Sequence, residues 1–97
     1  MPAYVIVNVE VSDTQQYEVY KEMAPASIES FGGRYLVRGG PIDILEGRWS
    51  PRRVVVLEFP DKSAALRWWN SSEYSDAKAM RQGCAYTELV VVEGVGK

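Results

Sequence analysis

Residues 3–11 read Ala3-Tyr4-Val5-Ile6-Val7-Asn8-Val9-Glu10-Val11. Val5, Val7, Val9 and Val11 fall on one side of this stretch, Tyr4, Ile6, Asn8 and Glu10 on the other. A period of two with β-branched residues is the signature of a strand lying in a sheet. The strand stops at Ser12-Asp13, where Asp13 is placed to cap a helix and Gln16 to complete a capping box.

The helix that follows carries Tyr17, Tyr20, Ala24, Ile28 and Phe31 on one face, at spacings of three and four. Pro25 lies within it, and a kink or a break into two short helices is expected there. Gly32-Gly33 ends it, because the position after a helix favours a left-handed backbone. A second strand is expected at 34–38, broken by Gly39-Gly40-Pro41 and resumed at 42–46. Glycines in a strand pattern point to a bulge or a close backbone approach. Gly47 to Pro51 reads as a turn and 52–59 as a third strand. Asp61 caps a second helix through Trp68 and Trp69. Asn70-Ser71-Ser72 breaks that helix, a further turn or two runs from Glu73 to about Arg81, and a last strand occupies 86–93.

Strand-helix-strand twice over is the ferredoxin-like plan, an α+β fold with a four-stranded antiparallel sheet and its helices on one face. Residues 1–97 are read as one such domain. Val5, Val7, Val9, Val11, Val37, Val55, Leu57, Phe59, Leu89 and Val91 should meet the helices. The opposite face would carry Tyr4, Ile6, Leu36, Val54, Val56, Val90 and Val92 among Asn8, Glu10, Arg34, Arg38, Glu58 and Glu88. Seven large apolar side chains expose on the order of 700 Å², above the few hundred a soluble monomer tolerates. A second copy packed sheet to sheet about a two-fold axis is the simplest cover. The interspersed charges would leave a partly polar cavity beneath it.

Composition narrows the function. The chain has no histidine, which excludes a histidine base, a Ser-His or Cys-His nucleophile and an imidazole haem ligand. With Cys84 as its one cysteine, neither an internal disulfide nor a zinc or iron–sulfur site is expected. No glycine-rich phosphate loop occurs. No cofactor and no metal are therefore expected. A net charge of −2 argues against nucleic-acid binding. The N-terminal stretch does not read as a secretion signal and is too short to span a membrane, so a cytoplasmic location is expected.

Five of the eleven basic residues (Arg34, Arg38, Arg48, Arg52, Arg53) fall between 34 and 53. They are either solvated strand ends or an anion-binding patch. Arg38 beside Gly39-Gly40 is the best local signal, since a guanidinium fork next to free backbone amides receives a carboxylate well. The alternative is a bulge with a rim salt bridge. Glu58 lies in an apolar strand on the expected cavity face. It is either a general base with a raised pKa or the partner of Arg34 or Arg38 across the sheet. Asn8 and Glu88 are weaker cases of the same kind. Tyr74 and Arg81, seven apart, share a helix face and would line a pocket mouth. Trp49, Trp68 and Trp69 read as packing, or as an aromatic platform for a ligand.

The runs YVIVNVEV, FGGRYLVRGG, LEGRWSPRRVVVLEFP and SSEYSDAKAMRQG together resemble a family of short, mainly bacterial proteins known only as a domain of unknown function. That family lies in the dimeric α+β barrel superfamily, and the resemblance covers nearly the whole chain. It departs at Ser72, where the family pattern has proline, although serine also suits a helix start. The resemblance implies a ferredoxin-like protomer and a homodimer whose two sheets close into a barrel. It brings no established reaction with it. The wider superfamily includes cofactor-free oxygenases, lactone isomerases, haem-handling enzymes and ligand-sensing domains, so the fold alone names no mechanism.

Two classes of function stay open at this point. One is a homodimer that binds a small acidic or aromatic molecule at the sheet, with Asn8, Arg34, Arg38, Gly39, Glu58, Tyr74 and Arg81 as its ligand-binding residues. The other is a cofactor-free oxygenase or isomerase acting on an activated carbon acid, with Glu58 as its base. Whether the protein is an enzyme is not decided by the sequence.

Overall fold

A computed structural model describes residues 1–96. Its elements are β1 (Ala3–Val11), α1 (Thr14–Ser30), β2 (Arg34–Arg38), β3 (Arg53–Phe59), α2 (Lys62–Trp69), α3 (Ser72–Cys84) and β4 (Ala85–Glu93). The strands pair antiparallel in the order β2-β3-β1-β4. This is the ferredoxin-like arrangement, with the second helix divided in two at Asn70-Ser71.

The caps follow from the sequence. Asp13 Oδ1 accepts from the Gln16 amide at 3.1 Å, and Asp61 Oδ1 accepts from the Ala64 amide at 2.7 Å. Ser71 opens α3, its Oγ accepting from the Tyr74 amide at 3.1 Å. Gly32, with φ of 77°, ends α1 in the left-handed region. Two expectations are corrected. α1 runs uninterrupted through Pro25, and α3 is thirteen residues long rather than a turn or two.

The core lies between the helices and one face of the sheet. Val5, Val7, Val9, Val55, Leu57 and Phe59 are buried there against Tyr17, Ala24 and Ile28 of α1, Trp68 of α2, and Tyr74 and Ala77 of α3. Trp68 is fully enclosed, its ring 4.2 Å from that of Tyr74, and its Nε1 donates to Ser27 Oγ at 3.1 Å. A buried indole N–H without an acceptor is costly, so Ser27 fixes the orientation of the largest core side chain.

The second strand departs from the expected alternation. Arg34 pairs with Glu58 and Tyr35 with Leu57, but Val37 pairs with Val56 and Arg38 with Val55. Leu36 is thus an extra residue, a bulge. From this point each side chain lies on the face opposite to the one simple alternation gives. Val37 is therefore exposed on the open face rather than buried in the core, and Arg38 is on the helix side. No strand forms at 42–46. Gly39, with φ of 75°, turns the chain out of the sheet, and Pro41 has no N–H with which to rejoin it. Ile44, Leu45 and Trp49 are left exposed in the connection from 39 to 52.

Candidate functional site

Beneath α1 and α3, on the helix side of the sheet, lies a cavity of about 30 Å³. Val7, Val9, Val55, Leu57 and Leu89 from three strands contribute to its apolar lining. Its polar lining is of two kinds: the hydroxyls of Tyr17, Tyr20, Tyr35 and Tyr74, and the cationic groups of Lys21, Arg38, Arg53 and Arg81. Among the described residues no carboxylate lines it.

At the deep end is Arg81, 2% exposed. Its Nε donates to Tyr74 Oη at 3.2 Å, and its Nη1 donates to Thr87 Oγ1 on β4. Tyr74 Oη in turn is hydrogen-bonded to Tyr20 Oη at 2.9 Å, either hydroxyl serving as donor. Arg81 Nη2 is buried and has no partner among the described residues. Among the described residues no acid lies within ion-pair distance of Arg81. A buried guanidinium lacking both a counter-charge and a full set of acceptors is expensive. Burial, and then the neighbouring Tyr74 hydroxyl, push the Tyr20 hydroxyl far above the usual tyrosine range. Tyr20 is accordingly a neutral hydroxyl rather than a base.

At the other end, two arginines are held on tyrosines. Arg38 lies over the Tyr35 ring, 4.4 Å from its centre, and Arg53 over Tyr17 at 5.4 Å. Arg53 Nε also donates to Tyr17 Oη at 3.2 Å, and Arg38 Nη2 to the Lys21 carbonyl at 2.7 Å. Gly39 lies against the Arg53 guanidinium, which occupies the space a side chain at Gly39 would need. The Gly39 amide is spent on the Val54 carbonyl at 2.9 Å. Gly39 therefore offers room for Arg53, not a free amide for an anion.

The residues singled out from the sequence divide between the two faces. Arg38, Tyr74 and Arg81 come together with the cavity, Tyr74 and Arg81 at its enclosed end rather than its mouth. Asn8, Arg34 and Glu58 lie on the open face. Arg34 Nε donates to Glu58 Oε1 at 2.7 Å, so Glu58 is an ion-pair partner. That hydrogen bond holds its carboxyl below the usual range instead of raising it. Asn8 accepts from the Arg52 amide at 3.2 Å and donates to Glu88 at 3.5 Å. The sequence reading did not place Tyr20 or Tyr35 at the site, and it had Arg53 only within the basic cluster of 34–53, not among the ligand-binding residues. For Arg53 the signal was present: it is two residues before Val55 and so shares its face.

A family model for a domain of unknown function, DUF1330, matches residues 2–95. The chain belongs to this family. The resemblance drawn from the four sequence runs is thereby confirmed. No curated protein matches the chain by sequence. Among solved structures, a protein of unknown function from Rhodopseudomonas palustris superposes with a TM-score of 0.78 at 18% identity. The match covers 99% of this chain and 84% of that one. A dimeric ferredoxin-like protein of unknown function from Jannaschia sp. CCS1 gives 0.72 at 15% identity, covering 97% and 100%. SnoaB, a cofactor-independent oxygenase from Streptomyces nogalater, gives 0.66 at 11% identity, covering 99% and 95%. At these identities the likeness is one of fold. No helix among the described residues is long and apolar enough to cross a membrane.

Proposed function

We propose that this DUF1330 protein is a homodimer that binds a small anionic molecule in the cavity between its helices and its sheet. The observation that carries this reading is Arg81, a buried guanidinium with an unpartnered Nη2 in a cavity whose lining among the described residues includes no carboxylate. A carboxylate or similar oxyanion arriving there supplies the missing counter-charge and acceptor. Tyr20 and Tyr74 add hydroxyls beside it. The apolar floor of Val7, Val9 and Leu89 suits the hydrocarbon part of such a ligand.

Dimerisation is supported by the open sheet face, where Leu36, Val37, Val90 and Val92 are exposed and Ile6, Val54 and Val56 half-buried. The Jannaschia neighbour is itself described as dimeric. Oxygenase or isomerase chemistry on a carbon acid would need a group that takes up a proton near neutral pH. The titratable groups lining the cavity are tyrosines, arginines and a lysine, and Tyr20 is shifted away from that role. Binding is therefore the reading the site supports best.

The test is titration calorimetry with benzoate and hexanoate. Both should bind to the wild type, and Arg81→Met should weaken each by about ten-fold or more, the worth of a charge-assisted hydrogen bond. Binding of neither acid, or binding indifferent to Arg81, overturns the proposal.

A further inference from the structure

The cavity has a second feature that one bound anion leaves unexplained. Arg38 faces Val55 across the β2–β3 ladder, and Arg53 precedes Val55 by two residues on the same strand face. The two arginines are therefore diagonal neighbours on adjacent strands, with Cα atoms roughly 7–8 Å apart. Like charges so placed repel, and among the described residues neither has an acidic partner within ion-pair distance. Both guanidinium groups are instead laid over tyrosine rings beside the cavity mouth.

The register of the sheet places these groups relative to Arg81. Arg53 faces Val9, and Val9 faces Thr87, the residue that holds Arg81 Nη1. Arg53 and Thr87 thus stand in one row across three strands. Two strand spacings separate them, on the order of 10 Å. Positive charge is concentrated at both ends of this row, and the middle is the apolar Val9. The cavity as a whole, about 30 Å³, accommodates only two or three water-sized groups, the bulk of one carboxylate, so the rest of a ligand extends beyond it at the mouth.

We infer that the ligand is a small dicarboxylate, with one carboxylate on Arg81 and the second on Arg38 and Arg53 at the mouth. This rests on the proposed anion-binding reading and adds to it the number and placement of the ligand's charges. The hydrocarbon between the two groups leads from the cavity, past its apolar lining, to the mouth. Arg38 keeps Nε and Nη1 for the ligand while Nη2 holds the Lys21 carbonyl.

Adipate and hexanoate, six-carbon acids that differ in the second carboxylate alone, provide the test by calorimetry at fixed ionic strength. Adipate should bind at least about ten-fold more tightly than hexanoate, as a second charge-assisted contact implies. Arg38→Met, a change at an exposed position, should bring the ratio of the two affinities close to one. Arg81→Met should weaken both acids. Equal affinity of the two acids in the wild type, with hexanoate still dependent on Arg81, overturns the dicarboxylate assignment and leaves the anion site standing. An adipate preference that survives Arg38→Met and Arg53→Met alike also overturns it. Binding of neither acid removes both proposals.

Discussion

Arg38 Nη2 donates to the carbonyl of Lys21 at 2.7 Å, and Lys21 stands four residues before Pro25. In an unbroken helix that carbonyl accepts from the amide of residue 25, which proline lacks. A side chain from the sheet thus satisfies the acceptor that Pro25 leaves open, and α1 continues without interruption. The bulge at Leu36 makes this possible, since it turns Arg38 toward the helix.

This relationship predicts an energetic coupling. Arg38→Met should cost about 0.5–1.5 kcal/mol in the wild type, the net worth of such a hydrogen bond. In a Pro25→Ala background the helix supplies its own donor, and the same change should cost close to nothing. Urea unfolding of the four proteins in the cycle measures the difference. Equal costs in both backgrounds would show that the contact is incidental.

Arg81→Met should weaken anion binding and yet leave the ligand-free protein more stable, by about 1 kcal/mol. A buried charge without a counter-ion is often improved upon by an apolar side chain of similar length. Urea unfolding without added anion tests the sign. A strong destabilisation would show that the bonds to Tyr74 and Thr87 outweigh the burial of the charge.

Two glycines should respond differently to alanine. At Gly33 a Cβ would come within 2.6 Å of Phe59 Cε1 and 2.8 Å of Ile28 Cγ2, both buried. Overpacking of this kind costs about 1–3 kcal/mol. At Gly39 the Cβ would overlap the Arg53 guanidinium and the backbone has φ of 75°. The backbone strain alone costs about 1 kcal/mol. Arg53 is also displaced, so Gly39→Ala should weaken adipate more than hexanoate. Thermal unfolding and calorimetry on the two variants separate these effects.

The Arg34–Glu58 pair gives the protein a pH signature. The hydrogen bond from Arg34 lowers the folded-state pKa of Glu58 from its ordinary 4.5. A depressed carboxylate pKa contributes stability above that ordinary value, and the contribution is lost as pH falls through the folded pKa. The Glu58 carboxyl carbon, followed by NMR, should titrate below 4.5 in the wild type. In Arg34→Ala it should move back up toward that value, and the acid limb of the stability curve should flatten slightly. An unchanged midpoint would mean that the pair is not kept in solution.

Val90 is 58% exposed on the open face, so Val90→Asp should leave the protomer folded while opposing a second copy. Light scattering should give twice 10.9 kDa for the wild type over a wide concentration range and about half that mass for the variant. A wild-type monomer at all concentrations would refute the covered face.

The order of elements was legible because their signals are local. Alternation marks β1 and β3, Asp13 and Asp61 mark helix starts, and Gly32 marks a helix end. The site was less legible, for two separate reasons. One inserted residue in β2 exchanges the faces of Val37 and Arg38, and nothing in Arg34–Arg38 itself says which residue is extra. The Tyr20–Tyr74–Arg81 chain joins α1 to α3, so it depends on how those helices pack. Spacing within one helix paired Tyr74 with Arg81, but it could not supply Tyr20 or show that the pair is buried.

The bulge at Leu36 also bears on how the protein avoids sticking to itself. β2 is an edge of the sheet, and edge strands offer unpaired amides and carbonyls to any extended chain that meets them. A five-residue strand with an arginine at each end and a break in its middle is a poor template for such growth. The irregularity that brings Arg38 to the cavity thus also protects this border of the sheet against aggregation.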